Sequence, residues 1–274
     1  MHYEESRYEI AVPGFAAGAR FRMAHLTDLH NCSYSGLMSK LDQAKPDLIL
    51  CTGDIINCPA FPKKPEWDTA ISFYAELVQR FPVCAIPGNH ENRWKNSEDE
   101  KLRRRYRDFR AQLQEIGVEF LENRIITAEA GGVTINFAGA DLPKSAFKIT
   151  KRGNRVMLPG EMESFLGAKP EGFTVLLAHT PNPAHDYAAW GADICFCGHV
   201  HGGIVRTKKL GGLVGPKLQP LPPYTKGKYS VGGMTLLVSA GLGEHSIPVR
   251  IGNPRHLIYA DLVAEKNEEA PDGV

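Results

Sequence analysis

Phe21-Arg22-Met23-Ala24-His25-Leu26-Thr27-Asp28-Leu29-His30 is the stretch on which the fold of this chain turns. Its first part, Phe21 to Leu26, is mostly apolar and of strand length. Its end changes abruptly to residue types that bind metals or protons. The same change recurs downstream. Leu48 to Cys51 runs into Thr52-Gly53-Asp54, and Val83 to Ile86 runs into Pro87-Gly88-Asn89-His90-Glu91. Thr174 to Ala178 leads to His179-Thr180-Pro181, and Ile194 to Cys197 leads to Gly198-His199-Val200-His201-Gly202-Gly203. Short runs rich in Val, Ile, Leu and Cys read as strands buried on both faces. Ligands of open α/β sheets bind beyond the carboxyl ends of strands. The five polar segments are therefore expected to meet on one rim.

Helical spacing separates the early strands. Tyr74, Leu77, Val78 and Phe81 fall at i, i+3, i+4 and i+7, one face of a helix. Leu102, Tyr106, Phe109, Leu113 and Ile116 define a second, with Ser97 and Glu100 as its capping box and Gly117 as its left-handed C-cap. Later, Gly131-Gly132 and Gly232-Gly233 each divide two strand-like runs and predict β-hairpins. Thr235 to Val238 is a further buried strand. The pattern is that of an α/β protein with sheets buried between helices. No linker, repeat or low-complexity tract interrupts it, so residues 1–274 are expected to form a single domain.

Composition narrows the function classes. The chain has 274 residues, 32 basic and 31 acidic, for a net charge of +1. This balance predicts no stable nucleic-acid complex. The run Lys101-Leu102-Arg103-Arg104-Arg105 follows Glu98-Asp99-Glu100 and reads as a solvated, ion-paired helix face. No window approaches the roughly 18 apolar residues of a membrane span, and Met1-His2-Tyr3-Glu4-Glu5-Ser6 does not read as an export signal. A soluble, cytoplasmic protein is expected. Of the six cysteines, Cys51, Cys84, Cys195 and Cys197 read as small core residues, and Cys32 and Cys58 as loop residues. No zinc-ribbon spacing appears.

The spacing within the polar segments has chemical content. In extended chain, residues i and i+2 point the same way, so Asp28 with His30, and His199 with His201, are expected to face one point each. Neighbouring glycines let the backbone turn and leave room for a phosphate. Asp54 can place its two carboxylate oxygens on different metals. Asn89 offers a neutral oxygen that does not oppose an anionic substrate.

These motifs, Asp-x-His, Gly-Asp, Gly-Asn-His-Glu, a lone His and Gly-His-x-His in that order, resemble the calcineurin-like metallophosphoesterase superfamily. The resemblance runs from about Phe21 to the C-terminal strand. The tail, with His201-Gly202-Gly203, Leu221-Pro222-Pro223-Tyr224, Gly241-Leu242-Gly243 and Asn253-Pro254, is similar to bacterial phosphodiesterases related to UDP-2,3-diacylglucosamine pyrophosphatase. The resemblance implies a four-layer α/β/β/α sandwich and two divalent metal ions. Asp28, His30, Asp54 and His201 would hold one ion. Asp54, Asn89, His179 and His199 would hold the other, with Asp54 as the bridge. His90 would face the phosphate as a catalytic group rather than a ligand. Two such ions generate a metal-bound hydroxide near neutral pH, and its in-line attack cleaves a phosphodiester, phosphomonoester or pyrophosphate bond in a small phosphorylated substrate. Mixed Asp, His and Asn ligands suit Mn²⁺, with Fe²⁺ or Zn²⁺ as alternatives.

Other residues read two ways. Asn57 is a loop cap or a site contact. Arg93, Arg206, Lys208 and Lys209 attract an anionic substrate or only solubilise. Pro59 to Pro65 is a lid or a stiff connection, and Trp94 stacks on substrate or packs. His25, His185, His245 and His256 match no ligand position. The rival function is a catalytically inactive metal-binding scaffold in a protein assembly. The intact ligand set and His90 speak against it.

Overall fold

Strands of two to ten residues, numbered in chain order, form two six-stranded sheets. The structure is a computed structural model describing residues 2–57, 67–147, 157–203, 205–207, 211–214, 222–244 and 250–265. The Pro59–Pro65 loop, Cys58, Lys208, Lys209, Leu221 and His245 lie outside these residues. From edge to edge, the first sheet runs β1 (Tyr3–Val12), β14 (Arg255–Ala264), β2 (Arg20–Leu26), β3 (Leu48–Cys51), β4 (Val83–Ala85) and β5 (Glu119–Phe120). The second runs β12 (Gly227–Val231), β13 (Met234–Val238), β9 (Ile194–Cys197), β8 (Phe173–Ala178), β7 (Val133–Ala140) and β6 (Arg124–Ala130). The strands β2, β3, β4 and β5 pair in parallel, as do β7, β8, β9 and β13. A small ribbon of β10 (Val205–Thr207) and β11 (Gly211–Val214) lies apart from both sheets.

Side-chain alternation sorts the interior into three cores, and these define the layers. In β3, Leu48 and Leu50 point between the sheets, while Ile49 and Cys51 point to the helices. The inter-sheet core joins Met23, Leu50, Ile258 and Leu262 of the first sheet to Ile135, Phe137, Val175 and Phe196 of the second. On the outer face of the first sheet lie α1 (Leu37–Ala44), α2 (Asp68–Val78), α3 (Asn89–Lys95) and α4 (Glu100–Glu115). On that of the second lie α5 (Glu161–Leu166) and α6 (Ala184–Trp190). The order helix, sheet, sheet, helix is the expected sandwich. Each fully buried Leu, Ile or Phe contributes about 1.5–3 kcal/mol to it. Cys51, Cys84, Cys195 and Cys197 are buried in these cores, and Cys32 packs at the edge of the first. Among the described residues, no helix is long and apolar enough to cross a membrane.

The six predicted strands all form, within a residue or so of the expected bounds. Both hairpins form at the predicted Gly-Gly turns. Gly117 ends α4 at φ 96°, and Val118 N–H donates to Leu113 O at 2.9 Å. The other end of α4 differs from expectation. Asp99 is the N-cap, its carboxylate accepting from Lys101 N–H at 2.9 Å. Glu100 is instead engaged by Arg103 and Arg107, both at 2.7 Å, and Ser97 accepts from Asp99 N–H. Phe81 lies beyond the end of α2 but still packs against the same core. Two long strands escaped the sequence reading. β1 and β14 pair in parallel over ten residues, Tyr3 opposite Arg255 through Val12 opposite Ala264.

Candidate metal centre

Each polar segment follows a strand and leaves it by a tight turn. The sequence placed Asp28 with His30, and His199 with His201, in extended chain. That geometry is corrected by the structure. Asp28, His30, Asp54, His199 and His201 all have left-handed backbone, with φ of 54°, 51°, 53°, 67° and 49°. Such conformations cost about 1–3 kcal/mol each in a residue with a Cβ. Asp, Asn and His tolerate them best, and these are also the types that ligate metals. The convergence survives although the assumed path to it does not.

A Cβ on Gly88 would lie 2.2 Å from Asp54 Oδ1, and one on Gly198 would lie 2.3 Å from Asp28 Oδ2. These glycines make room for the protein's own carboxylates.

Three groups of side chains bring ligand atoms within 4.8 Å of one another: Asp28 with His30 and His201, Asp54 with His179 and His199, and His30 with Asp54 and His90. All these residues are buried except His199, which is half-buried. The rings of His30 and His201 are stacked, and their Nε2 atoms are 3.2 Å apart. His179 Nε2 is 3.1 Å from Asp54 Oδ2, and His201 Nε2 is 3.4 Å from Asp28 Oδ1. Asn89 opens α3, and its Oδ1 is buried with no hydrogen-bond partner. All seven expected ligands and His90 thus stand on the carboxyl-end rim.

Hydrogen bonds prepare this set for cations. His179 Nδ1–H donates to the Thr52 carbonyl at 2.6 Å, which fixes the ring with Nε2 turned toward Asp54 Oδ2. Asp28 accepts from His199 N–H at 3.0 Å and from Thr27 Oγ1 at 3.0 Å. Asp54 Oδ1 accepts from His90 N–H at 2.8 Å. Burial pushes the Asp28 carboxyl up to about 7, opposed by His179 and reinforced by the nearby Asp54 charge. Burial opposes ionisation of Asp54 too, but His179, His90 and His30 outweigh it and hold Asp54 well below the usual range. His90 is lowered, chiefly by burial. The donors are imidazole nitrogens and carboxylate and amide oxygens, with no thiolate. That set fits a divalent first-row metal.

Several supporting residues were not assigned from sequence. Glu91 is fully enclosed and accepts from four backbone N–H groups: Asp54 at 2.9 Å, Ile55 at 3.0 Å, Ile56 at 3.2 Å and Gly88 at 2.8 Å. Burial pushes Glu91 up to about 7, with Asp54 adding to the effect. All four partners are donors, so only the ionised carboxylate satisfies them, and that is the form the geometry requires. Asn253 Nδ2 donates to His201 O at 2.5 Å and to Gly203 O at 2.7 Å, holding the double-histidine turn. Phe147 packs its ring against His179 and His199, with centroids 5.8 Å and 5.3 Å away. Glu91 and Asn253 stood inside quoted motifs, but nothing in a linear spacing says that a side chain serves the backbone. Phe147 carried no signal at all.

Trp94 packs against Trp67 and Phe109. Asn57 and Arg93 are exposed, and Arg206 bonds Thr225 Oγ1 at 3.1 Å. His25 bonds Thr52 Oγ1 at 2.8 Å, and burial pushes it down to about 3. His256 meets Ser6 Oγ at 2.9 Å, and His185 is exposed on α6. None of these three histidines belongs to the metal-competent groups.

Two facing sheets with an Asp/His/Asn rim define the class. Residues 21–203 match the calcineurin-like phosphoesterase family, and the chain belongs to it. It is a metal-dependent phosphoric ester hydrolase. Two curated relatives are each 24% identical to it. One is the uncharacterized metallophosphoesterase YkuE of Bacillus subtilis, matched over 84% of this chain and 74% of that protein. The other is the phosphodiesterase YaeI of Escherichia coli, matched over 82% of this chain and 76% of that protein. Among solved structures, the phosphopantetheinyl hydrolase of Mycobacterium tuberculosis aligns with a TM-score of 0.48 and 17% identity, over 81% of this chain and 89% of that one.

Proposed function

We propose that this rim holds two divalent ions, manganese foremost, and hydrolyses a phosphodiester, with phosphomonoesters and pyrophosphates as the neighbouring substrate classes. Asp28, His30 and His201 hold one ion. Asn89, His179 and His199 hold the other, and Asp54 is shared between them. The observation that carries this reading is the position of Asp54. Its carboxylate belongs to two ligand groups at once, one with His30 and His90 and one with His179 and His199. Ions bound there supply Lewis acidity, lowering the pKa of water toward neutrality and offsetting charge on the phosphate.

The chain's own residues do the rest. The turns at Asp28 and Asp54 fix the carboxylates before substrate arrives, so no reorganisation is needed during the reaction. His179 is held in one tautomer by Thr52 O. His90 is tethered through its N–H to Asp54 Oδ1, and its ring lies against that of His30 with centroids 4.7 Å apart. From there the imidazole donates to the phosphate or to the departing oxygen. Because the site draws on both sheets, residues 1–274 act as one unit in this reading.

The deciding experiment strips the protein with EDTA and assays bis(4-nitrophenyl) phosphate and 4-nitrophenyl phosphate with and without Mn²⁺. Mn²⁺ is expected to restore diester hydrolysis. Asp54→Ala abolishes it, and His90→Ala lowers it roughly a hundredfold. If no divalent ion restores either activity while circular dichroism shows an intact fold, the two-metal reading fails and the scaffold reading takes its place.

A further inference from the structure

α3 carries Asn89 and His90 in its first turn but spans only seven residues. A helix so short is not held by its own hydrogen bonds. Its far end is tied down by side chains. Asn92 Nδ2 donates to Asp141 Oδ1 at 2.7 Å. Lys95 Nζ pairs with Asp141 Oδ2 and donates to Glu122 Oε1 at 2.9 Å. Asp141 is itself oriented, its N–H donating to Asn123 Oδ1 at 2.8 Å.

The topology gives this clasp its meaning. Asp141 directly follows β7 of the second sheet, beside β8, which leads to His179. α3 follows β4 of the first sheet. The clasp therefore ties one sheet's helix to the other sheet's rim, next to the place where the two sets of site residues meet. Asn92 is buried and the Asp141 side chain is only 10% exposed, so solvent screens their charge-assisted bond little.

We propose that Asp141 and Asn92 are positioning residues, whose bond sets where His90 stands relative to Asp54 and to the histidines of the second sheet. This rests on the reading that His90 acts at the phosphate. A displacement of about 1 Å in a reacting group costs up to roughly a hundredfold in rate, so a shifted α3 lowers turnover before it affects folding. Loss of Asn92 leaves Asp141 paired with Lys95 and strands no buried charge.

The test is a double-mutant cycle on the Mn²⁺-loaded full chain with bis(4-nitrophenyl) phosphate. Asn92→Ala is expected to lower kcat about tenfold, with KM and bound Mn²⁺ within about twofold of the parent. In the His90→Ala background the same change is expected to lower kcat less than about twofold, because what it displaces is already gone. Asp141→Ala, which removes the Lys95 pair as well, should lower kcat at least as much as Asn92→Ala. Asp141→Asn, whose amide oxygen still accepts from Asn92, should recover most of the kcat lost in Asp141→Ala. Equal losses with and without His90, or a loss confined to KM or metal content, overturn the positioning role while leaving the site reading intact. If His90→Ala alone leaves kcat unchanged, the reading of His90 falls and the positioning role falls with it.

Discussion

The two sheets bring different chemistry to the rim they share. The first supplies every carboxylate and the amide: Asp28, Asp54 and Asn89, together with His30 and His90. The second supplies only imidazoles, His179, His199 and His201. Their supports differ in the same way. On the first sheet, buried side-chain charge is answered by backbone donors, as with Glu91 under the Asp54 turn and His90 N–H on Asp54. On the second, backbone carbonyls are answered by neutral amide donors, as with Asn253 on His201 O and Gly203 O. The side that carries negative charge is over-determined by hydrogen bonds. The side that carries the imidazoles is held through its backbone carbonyls. The contrast teaches that the cost of gathering like charges is met locally, in the turns that carry them.

The largest effect concerns metal binding. A ligand at a hundredfold excess over its Kd raises stability by about 2.7 kcal/mol per site. Asp54→Ala is expected to abolish the Mn²⁺-induced rise in Tm, whereas His179→Ala keeps part of it. Equal losses in a thermal-shift titration would erase the distinction between the sheets. Next is Glu91→Gln, which keeps the shape but turns an amide donor toward backbone donors. A loss of about 3 kcal/mol is expected, read as a lower urea midpoint at unchanged slope. A loss under about 1 kcal/mol would mean that the Asp54 turn holds itself.

The smallest effect is a pH dependence at Glu122, beside the cross-sheet clasp. Burial pushes Glu122 up, but Tyr106, Lys95 and Arg110 outweigh it and hold the carboxyl below its usual range. A depressed carboxyl stabilises the fold above its unfolded pKa, and that contribution is lost as pH falls through the folded value. Glu122→Gln should therefore be less stable than the parent near pH 7, and the gap should narrow as pH falls below the usual carboxylate range. A gap that persists in acid would assign the loss to packing instead.

Much of this was legible in the sequence because one physical cause wrote both the strands and the site. A buried strand must be apolar, and the turn that ends it must not be, so β2, β3, β4, β8 and β9 each announce a boundary where the site residues stand. The path of the backbone was not legible. Residue types that tolerate left-handed φ are also types that fit an extended i, i+2 pattern, and nothing linear separates the two for Asp28 and His30. The cap at Asp99 was missed because Ser97 and Glu100 satisfy the same spacing rule, and only the Arg103 and Arg107 side chains decide where Glu100 goes. β1 went unread because its burial is mixed and its partner is remote in sequence.

The pairing of Tyr3–Val12 with Arg255–Ala264 reaches beyond architecture into biosynthesis. β14 lies between β1 and β2, so two segments made early must wait for one made about 250 residues later. At roughly 5–20 residues per second on a ribosome, that wait lasts on the order of 10–50 s. Through that interval β1 and the β14-facing edge of β2 lack their native neighbour, and unpaired edges invite aggregation. Nascent chains halted before Arg255 should therefore depend on chaperones more than those halted after Ala264.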